Sequence, residues 1–570
     1  MLLIFTSSLF AGTLNSDSDF EQLANDFVEE YLMKSPETGT YLGLHQYDGK
    51  VSDYSIDAVN RDIKWLRSYE TRIESFDPSQ LTQKNYINYK ILLNEIKKDL
   101  FSYEVRQGYK RNPMSYAGSI DVNIYVSRDF APIEERVRSI IKIEKNAPLI
   151  FSEARKNLVD ALPKTFVETA ISIAKGSADF LGNDLIIALK DVNNQALMKE
   201  FNEANTAAMK ELNEFASYLE TEKLPKATND FALGCENYKR MLKDGEFLDY
   251  SVDEILEIGL DHLKKEQQLF KETAAIIDPG KSPIEVFKEI QKDHPTAQTL
   301  ISDAKNNMES IRQFLIDKQI ITIPSEVRAL VTETPQYARA STFASMNTPG
   351  PFEKSTQAYY YITPVDDNWS DKQKEEWLTA FNYYTTDIVS IHEAYPGHYV
   401  QFLHVNASDA SKIQKIFGSY AFSEGWAHYT EQMMIDEGFG ADKDKITAAK
   451  FKLAQIDESL LRYCRLCVSI MMHCKGMNVE DATKFFMDNC YYEEQPANSE
   501  AVRGTYDPGY LYYTLGKLML FKLRDDYKLQ EGENYSLRKF HDSVLKYGSP
   551  PIPLLREIIL KDKSIHNDLF

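Results

Sequence analysis

His392-Glu393-Ala394-Tyr395-Pro396-Gly397-His398 sets two imidazoles six positions apart, with a carboxylate beside the first. Two histidines with nearby carboxylates are the donor set of a hydrolytic zinc site. When such histidines lie four apart, the 3.6-residue turn keeps both rings on one helical face, able to share an ion. Six apart on an undistorted helix, the rings would point roughly 120° away from each other. A chain that uses both must therefore bulge two residues out of a helix. Pro396 cannot donate to the helical ladder and Gly397 tolerates unusual backbone angles, so this pair supplies the means. The alternative is that Pro396 ends the helix after Tyr395 and leaves unrelated polar residues around a turn.

The downstream segment Ser423-Glu424-Gly425-Trp426-Ala427-His428-Tyr429-Thr430-Glu431 lies in a run with helical apolar spacing. A carboxylate there, Glu424, can supply the third ligand from a neighbouring helix, and three protein ligands leave the open position that a catalytic zinc needs. Glu393 sits next to a ligand without having to bind metal, which suits a general base. Glu431 falls seven residues after Glu424, on the same face, where it can orient a ligand histidine. An oxyanion needs a donor besides the metal. Tyr506 and Tyr510, flanking an Asp-Pro-Gly turn, are the candidates, with Tyr512 and Tyr513 in reserve. Arg503 or Lys517 is placed to hold a substrate carboxylate. His404 and His428 are read as structural or supporting residues.

The segments His392 to Gln401 and Ser423 to Glu431 resemble the bacterial "domain of unknown function 885" family of candidate zinc metallopeptidases. Pro36 to Gly43, Thr348 to Phe352, Tyr506 to Tyr510, Leu515 to Leu518 and the ending from Phe540 to Glu557 agree with it, so the resemblance spans nearly the whole chain. The family is similar in turn to the helical gluzincin peptidases, and dipeptidyl-peptidase III shows that such a site tolerates an insertion in its histidine motif. The resemblance also implies a histidine at the end of the helix holding Cys464 and Cys467. His473 is thus a candidate substrate or transition-state contact, or else an ordinary half-buried histidine.

Composition bounds the remaining classes. A chain of 570 residues, 43% hydrophobic and 26% charged, buries a large core and is neither disordered nor fibrous. With 65 basic against 86 acidic residues the formal charge is −21, which repels phosphate backbones, so nucleic acid is not an expected partner. Residues 1–12 (MLLIFTSSLFAG) are too short to span a bilayer but fit the apolar region of a secretory signal, although no basic residue precedes it and Leu9 stands where a small residue is preferred for cleavage. The expected location is periplasmic or secreted, with a cytoplasmic enzyme as the alternative and no integral membrane segment in the mature chain. Cys235, Cys464, Cys467, Cys474 and Cys490 make a poor disulfide framework, and Cys464 and Cys467 read as buried helix thiols rather than a zinc knuckle.

Helical periodicity recurs nearly everywhere. Ser18 and Glu21 form a capping-box signature before Phe20, Leu23, Phe27 and Tyr31. A second stripe, Val59 to Phe76, is broken by Pro78, and helices are expected over residues 81–100, 133–159, 195–221 and 252–276. Residues 321–364 differ. Ile321 to Ile323, Val327 to Val331 and Ala358 to Thr363 are short β-branched or aromatic runs, expected to form a small antiparallel sheet preceding the metal helix. Such an edge can take up extended peptide as an added strand, with Tyr360 as a substrate contact or a packing residue.

The sequence thus predicts a mainly α protein, one continuous body with an active-site cleft. Residues 13–320 form an N-terminal helical region and residues 321–570 carry the zinc site. The expected function is zinc-dependent hydrolysis of short peptides, with His392, His398 and Glu424 on the metal. A zinc amidase or carboxylesterase on a non-peptide substrate would use the same residues. A non-catalytic peptide-binding protein would have no need of Glu393.

Overall fold

A computed structural model describes residues 17–335, 339, 344–354, 357–441 and 444–570. The apolar stretch of residues 1–12 lies outside them. The expected helices form because each has an apolar stripe at helical spacing to bury. Helix α1 (Asp17–Lys34) buries Phe20, Leu23 and Phe27; Ser18 lies within it rather than capping it. In α2 (Ile56–Glu74) the Ser55 side chain accepts the Ala58 N–H at the start, and the helix stops before Pro78. Helix α3 (Gln83–Phe101) follows.

The helix expected over residues 133–159 is two, α4 (Ile133–Glu144) and α5 (Ala147–Asn157). Pro148 in the first turn of α5 has no N–H to continue the ladder, so it starts a helix instead. Helices α6 (Lys164–Gly182) and α7 (Gln195–Tyr218) pack together in one apolar cluster with α4 and α5. Helix α8 (Val252–Ile277) opens on the reciprocal Ser251 and Glu254 capping box that the sequence announces.

The sheet corrects an expectation. Strands β1 (Leu330–Glu333), β2 (Ala344–Asn347) and β3 (Tyr359–Ile362) are ordered β1-β3-β2, with β3 parallel to β1 and antiparallel to β2. The sheet is mixed rather than antiparallel because the chain reverses twice between β1 and β3. Ile321 to Ile323 is not a strand. The Thr322 N–H and hydroxyl donate to Asp542 and its carbonyl accepts from His404, so side chains satisfy the groups a ladder would use.

Two of the sequence motifs meet at a joint between the N-terminal helices and this sheet. Phe352 N–H donates to Leu42 O at 3.0 Å, and a side chain at Gly350 would lie 2.3 Å from the Leu42 carbonyl carbon. His45 closes the joint, with Nδ1 3.2 Å from Asp48 and Nε2 3.1 Å from Glu353.

The largest apolar cluster surrounds six further helices: α9 (Tyr383–Glu393), α10 (His398–Ala407), α11 (Tyr420–Asp436), α12 (Lys445–Cys474), α13 (Glu494–Tyr506) and α14 (Tyr512–Glu531). Helix α12 runs along α8, and both Cys464 and Cys467 are buried in it as free thiols. Helices α11 and α14 cross at Gly425 and Gly516, where a side chain on Gly516 would come within 1.8 Å of Ala421 O. Only glycine allows that approach. No helix among the described residues is long and apolar enough to cross a membrane.

Candidate metal centre

The two histidines end one helix and begin the next. Between them the ladder skips: Gly397 N–H reaches Ile391 O at 2.9 Å and Val400 N–H reaches Ala394 O at 3.2 Å, each six residues back instead of four. Two residues are thereby extruded, and His398 returns to the face of His392 with ring centroids 5.0 Å apart. The bulge is pinned from α11, where Trp426 Nε1 donates to Pro396 O at 3.0 Å. A Cβ on Gly397 would sit 1.6 Å from His392 O, so no other residue fits without moving a ligand. Gly397→Ala is accordingly expected to purify with far less than one zinc per chain, because a metal site tolerates displacements of only about 0.5 Å. Elemental analysis checks this; near-stoichiometric zinc would contradict it.

His392, His398 and Glu424 each present a ligand atom, all within 4.8 Å of one another. Glu424 Oε2 lies 3.5 Å from His392 Nε2 and 3.6 Å from His398 Nε2. Ligands at about 2.0–2.1 Å in a tetrahedral shell stand roughly 3.3–3.4 Å apart, so the donor set fits zinc. The groups behind it hold it in that form. Glu431, fully buried, accepts His392 Nδ1–H at 2.7 Å and His428 Nδ1–H at 3.0 Å, with Arg462 at 3.5 Å. With Nδ1 engaged by Glu431, Nε2 is the ring nitrogen turned towards the metal side.

Charge completes the case. Burial opposes ionisation of Glu431, but Arg462 and His428 keep it well below the usual carboxylate range. Burial likewise disfavours a cationic His392, yet hydrogen bonds to Glu424 and Glu431 raise its pKa to about 10. Glu424 is held low by its two histidines against burial. This arrangement favours positive charge at its centre.

The open side of the site is identifiable because its residues stay half-exposed within a buried core: Glu393, His398, Glu424, Tyr420 and Tyr513. Tyr513, a reserve in the sequence reading, stacks towards His392 at 6.5 Å between the guanidinium groups of Arg465 (5.3 Å) and Arg503 (6.0 Å). Tyr420, which the sequence reading missed, meets Tyr513 edge-on at 5.8 Å. Its signal was present in the spacing, since it lies four residues before Glu424 on one helical face.

Other expected site residues are placed differently. Tyr510 is fully buried beneath Gly504, because the chain turns through Pro508–Leu511 and points it into the core. The Tyr506 ring packs edge-on against Phe166 of α6. Lys517 is 1% exposed, donates to Ser459 Oγ at 3.0 Å, and is sealed by the glycine crossing beside it. His473 has both ring nitrogens engaged by backbone, Nδ1 accepting Leu233 N–H and Nε2 donating to Gly504 O. These bonds tie the end of α12 to Leu233 and to α13. Tyr360 is 1% exposed and its hydroxyl meets Ser390 of α9 on the buried face of the sheet, which leaves Tyr359 and Tyr361 on the more open face. Arg503 is bound to Asp507 at 2.9 and 3.1 Å and donates to Tyr420 Oη at 3.3 Å.

Residues 36–559 match the family described as "Bacterial protein of unknown function (DUF885)". Among solved structures, a candidate lipoprotein of unknown function from Shewanella oneidensis is similar with a TM-score of 0.80 at 24% identity, over 95% of this chain and 100% of that one. A candidate lipoprotein from Colwellia psychrerythraea gives a TM-score of 0.76 at 17% identity, over 96% of this chain and 99% of that one. At these identities the likeness concerns the fold. No curated protein matches the chain.

Proposed function

The chain belongs to the DUF885 family of bacterial proteins, and we propose that it is a zinc metallopeptidase acting on short peptides outside the cytoplasm. The observation that carries this reading is the convergence of His392, His398 and Glu424 while Glu393 stands beside them, half-exposed and with no side-chain hydrogen bond to another described residue. Held by those three ligands, zinc would supply Lewis acidity, acidifying water and polarising the scissile carbonyl. Glu393 accepts the proton of the attacking water and returns it to the leaving amine. Tyr513, its ring held between the Arg465 and Arg503 guanidinium groups, donates its phenolic hydrogen to the oxyanion. Glu431 keeps His392 in one tautomer and orientation throughout.

Location is supported by two observations: structures of the same fold come from proteins described as candidate lipoproteins, and residues 1–12 have the character of a secretory signal. Short peptides are favoured because the site opens among packed helices.

Metal removal tests the reading. Chelator-treated protein is expected to lose peptide cleavage and to regain it with one equivalent of zinc. Zinc at a thousand times its dissociation constant should also stabilise the fold by about 4 kcal/mol, read as a rise in Tm. Unchanged cleavage after complete metal removal would defeat the proposal.

A further inference from the structure

Beyond the metal centre the molecule holds two cavities that share a wall. One, of about 320 Å³, lies between Phe101, Met241 and Tyr512, with Tyr420 and Asp507 on the side of the metal ligands; its other carboxylates are engaged, Asp244 by Arg240 and Glu246 by the Ser419 hydroxyl and Ala421 N–H. The other, of about 260 Å³, extends past Arg111, Asn112 and His473. Ser102 and Arg106, just after α3, line both. Tyr420 connects the first cavity to the catalytic face through the ring contacts Tyr420–Tyr513 (5.8 Å) and Tyr513–His392 (6.5 Å). The cavity therefore begins on the order of 10 Å from the ligands, the reach of about three residues of extended chain at ~3.3 Å each.

Charge singles out one residue here. The other cations lining these cavities are paired: Lys98 with Glu95 and Arg111 with Asp230. Arg106 is not. Its only hydrogen bond among the described residues goes from Nη2 to Tyr506 O at 2.9 Å, no described carboxylate lies within 4.0 Å, and its side chain remains solvent-exposed. A guanidinium has five N–H donors, so most of its capacity faces the cavity unused. Asp507, already bound to Arg503, is the carboxylate whose charge reaches Arg106, and in a chain of net charge −21 an exposed arginine in contact with no described carboxylate is an available anion receptor.

We propose that Arg106 binds a carboxylate of the substrate about three to five residues from the cleaved bond, so that the protein selects short peptides with an anionic end. The inference rests on the peptidase reading and names the substrate class of that same site. The carboxylate is either the free C-terminus or an acidic side chain.

The test uses pentapeptides of one sequence in three forms: free acid, C-terminal amide, and amide with glutamate as the last residue. With zinc-loaded wild-type protein, the free acid or the glutamate amide should exceed the plain amide in kcat/KM by about 10- to 100-fold, the value of a charge-assisted hydrogen bond. Which of the two does so identifies the carboxylate. In Arg106→Gln the preference should fall to near unity, and Arg106→Lys, which keeps the charge without the fork, should retain part of it. A preference unchanged in Arg106→Gln, or absent from wild type, would overturn the inference while leaving the peptidase reading intact. Calorimetric binding of the same peptides covers the case without turnover. Carboxylate-dependent binding lost in Arg106→Gln would uphold the anion site although the peptidase reading had failed, and absence of both turnover and binding would overturn both.

Discussion

Replacing Glu393 with Gln is expected to lower peptide turnover by a factor of about 10³ or more and to leave bound zinc in place. Gln has the same shape and cannot take a proton, so the change removes the base and little else. Metal is retained because His392, His398 and Glu424 supply the donors and Glu393 lies outside that set. Measured together, kcat and zinc content should separate: kcat lost, zinc near one per chain. A metal-free variant would make Glu393 a ligand instead, and an active one would remove it from the chemistry.

The second large effect concerns Tyr513. If its phenol donates to the oxyanion, Tyr513→Phe removes an interaction made only in the transition state, lowering kcat and kcat/KM together by about 10²–10³ with KM little changed. Tyr510→Phe provides the contrast. Its hydroxyl is buried without a hydrogen-bond partner, so its loss should leave turnover within about two-fold and Tm unchanged or slightly higher. Equal effects of the two substitutions would mean that Tyr513 acts by packing.

These assignments show where sequence reasoning reached and where it stopped. The clustering of His392, His398 and Glu424 was legible because six-residue spacing around Pro396-Gly397 admits few ways to bring two imidazoles together, and the structure adopts the two-residue bulge. Helices α2, α3, α7 and α8 were legible because their apolar stripes agree with the capping residues Ser55, Thr82, Asn194 and Ser251 that precede them.

The tyrosines were not, since which of Tyr506, Tyr510 and Tyr513 faces the metal depends on a short turn at Pro508–Leu511 whose direction leaves no periodic trace. Lys517 was misplaced for a related reason. A lysine ordinarily reaches water, but the Gly425–Gly516 crossing encloses this one with Ser459, among the charges of Glu266, Glu431, Arg462 and Asp436. Strand β2, Ala-Ser-Met-Asn, has no β-branched residue and exists by pairing with β3.

The account stands or falls on whether this centre cleaves peptide bonds. A library of synthetic peptides of mixed sequence and length, digested by zinc-loaded wild type and by Glu393→Gln side by side and read by mass spectrometry, measures that directly. The account predicts new termini in the wild-type digest, concentrated among the shortest peptides and missing from the variant digest. Peptides left intact by zinc-replete wild-type protein, or cut equally by both proteins, would contradict it.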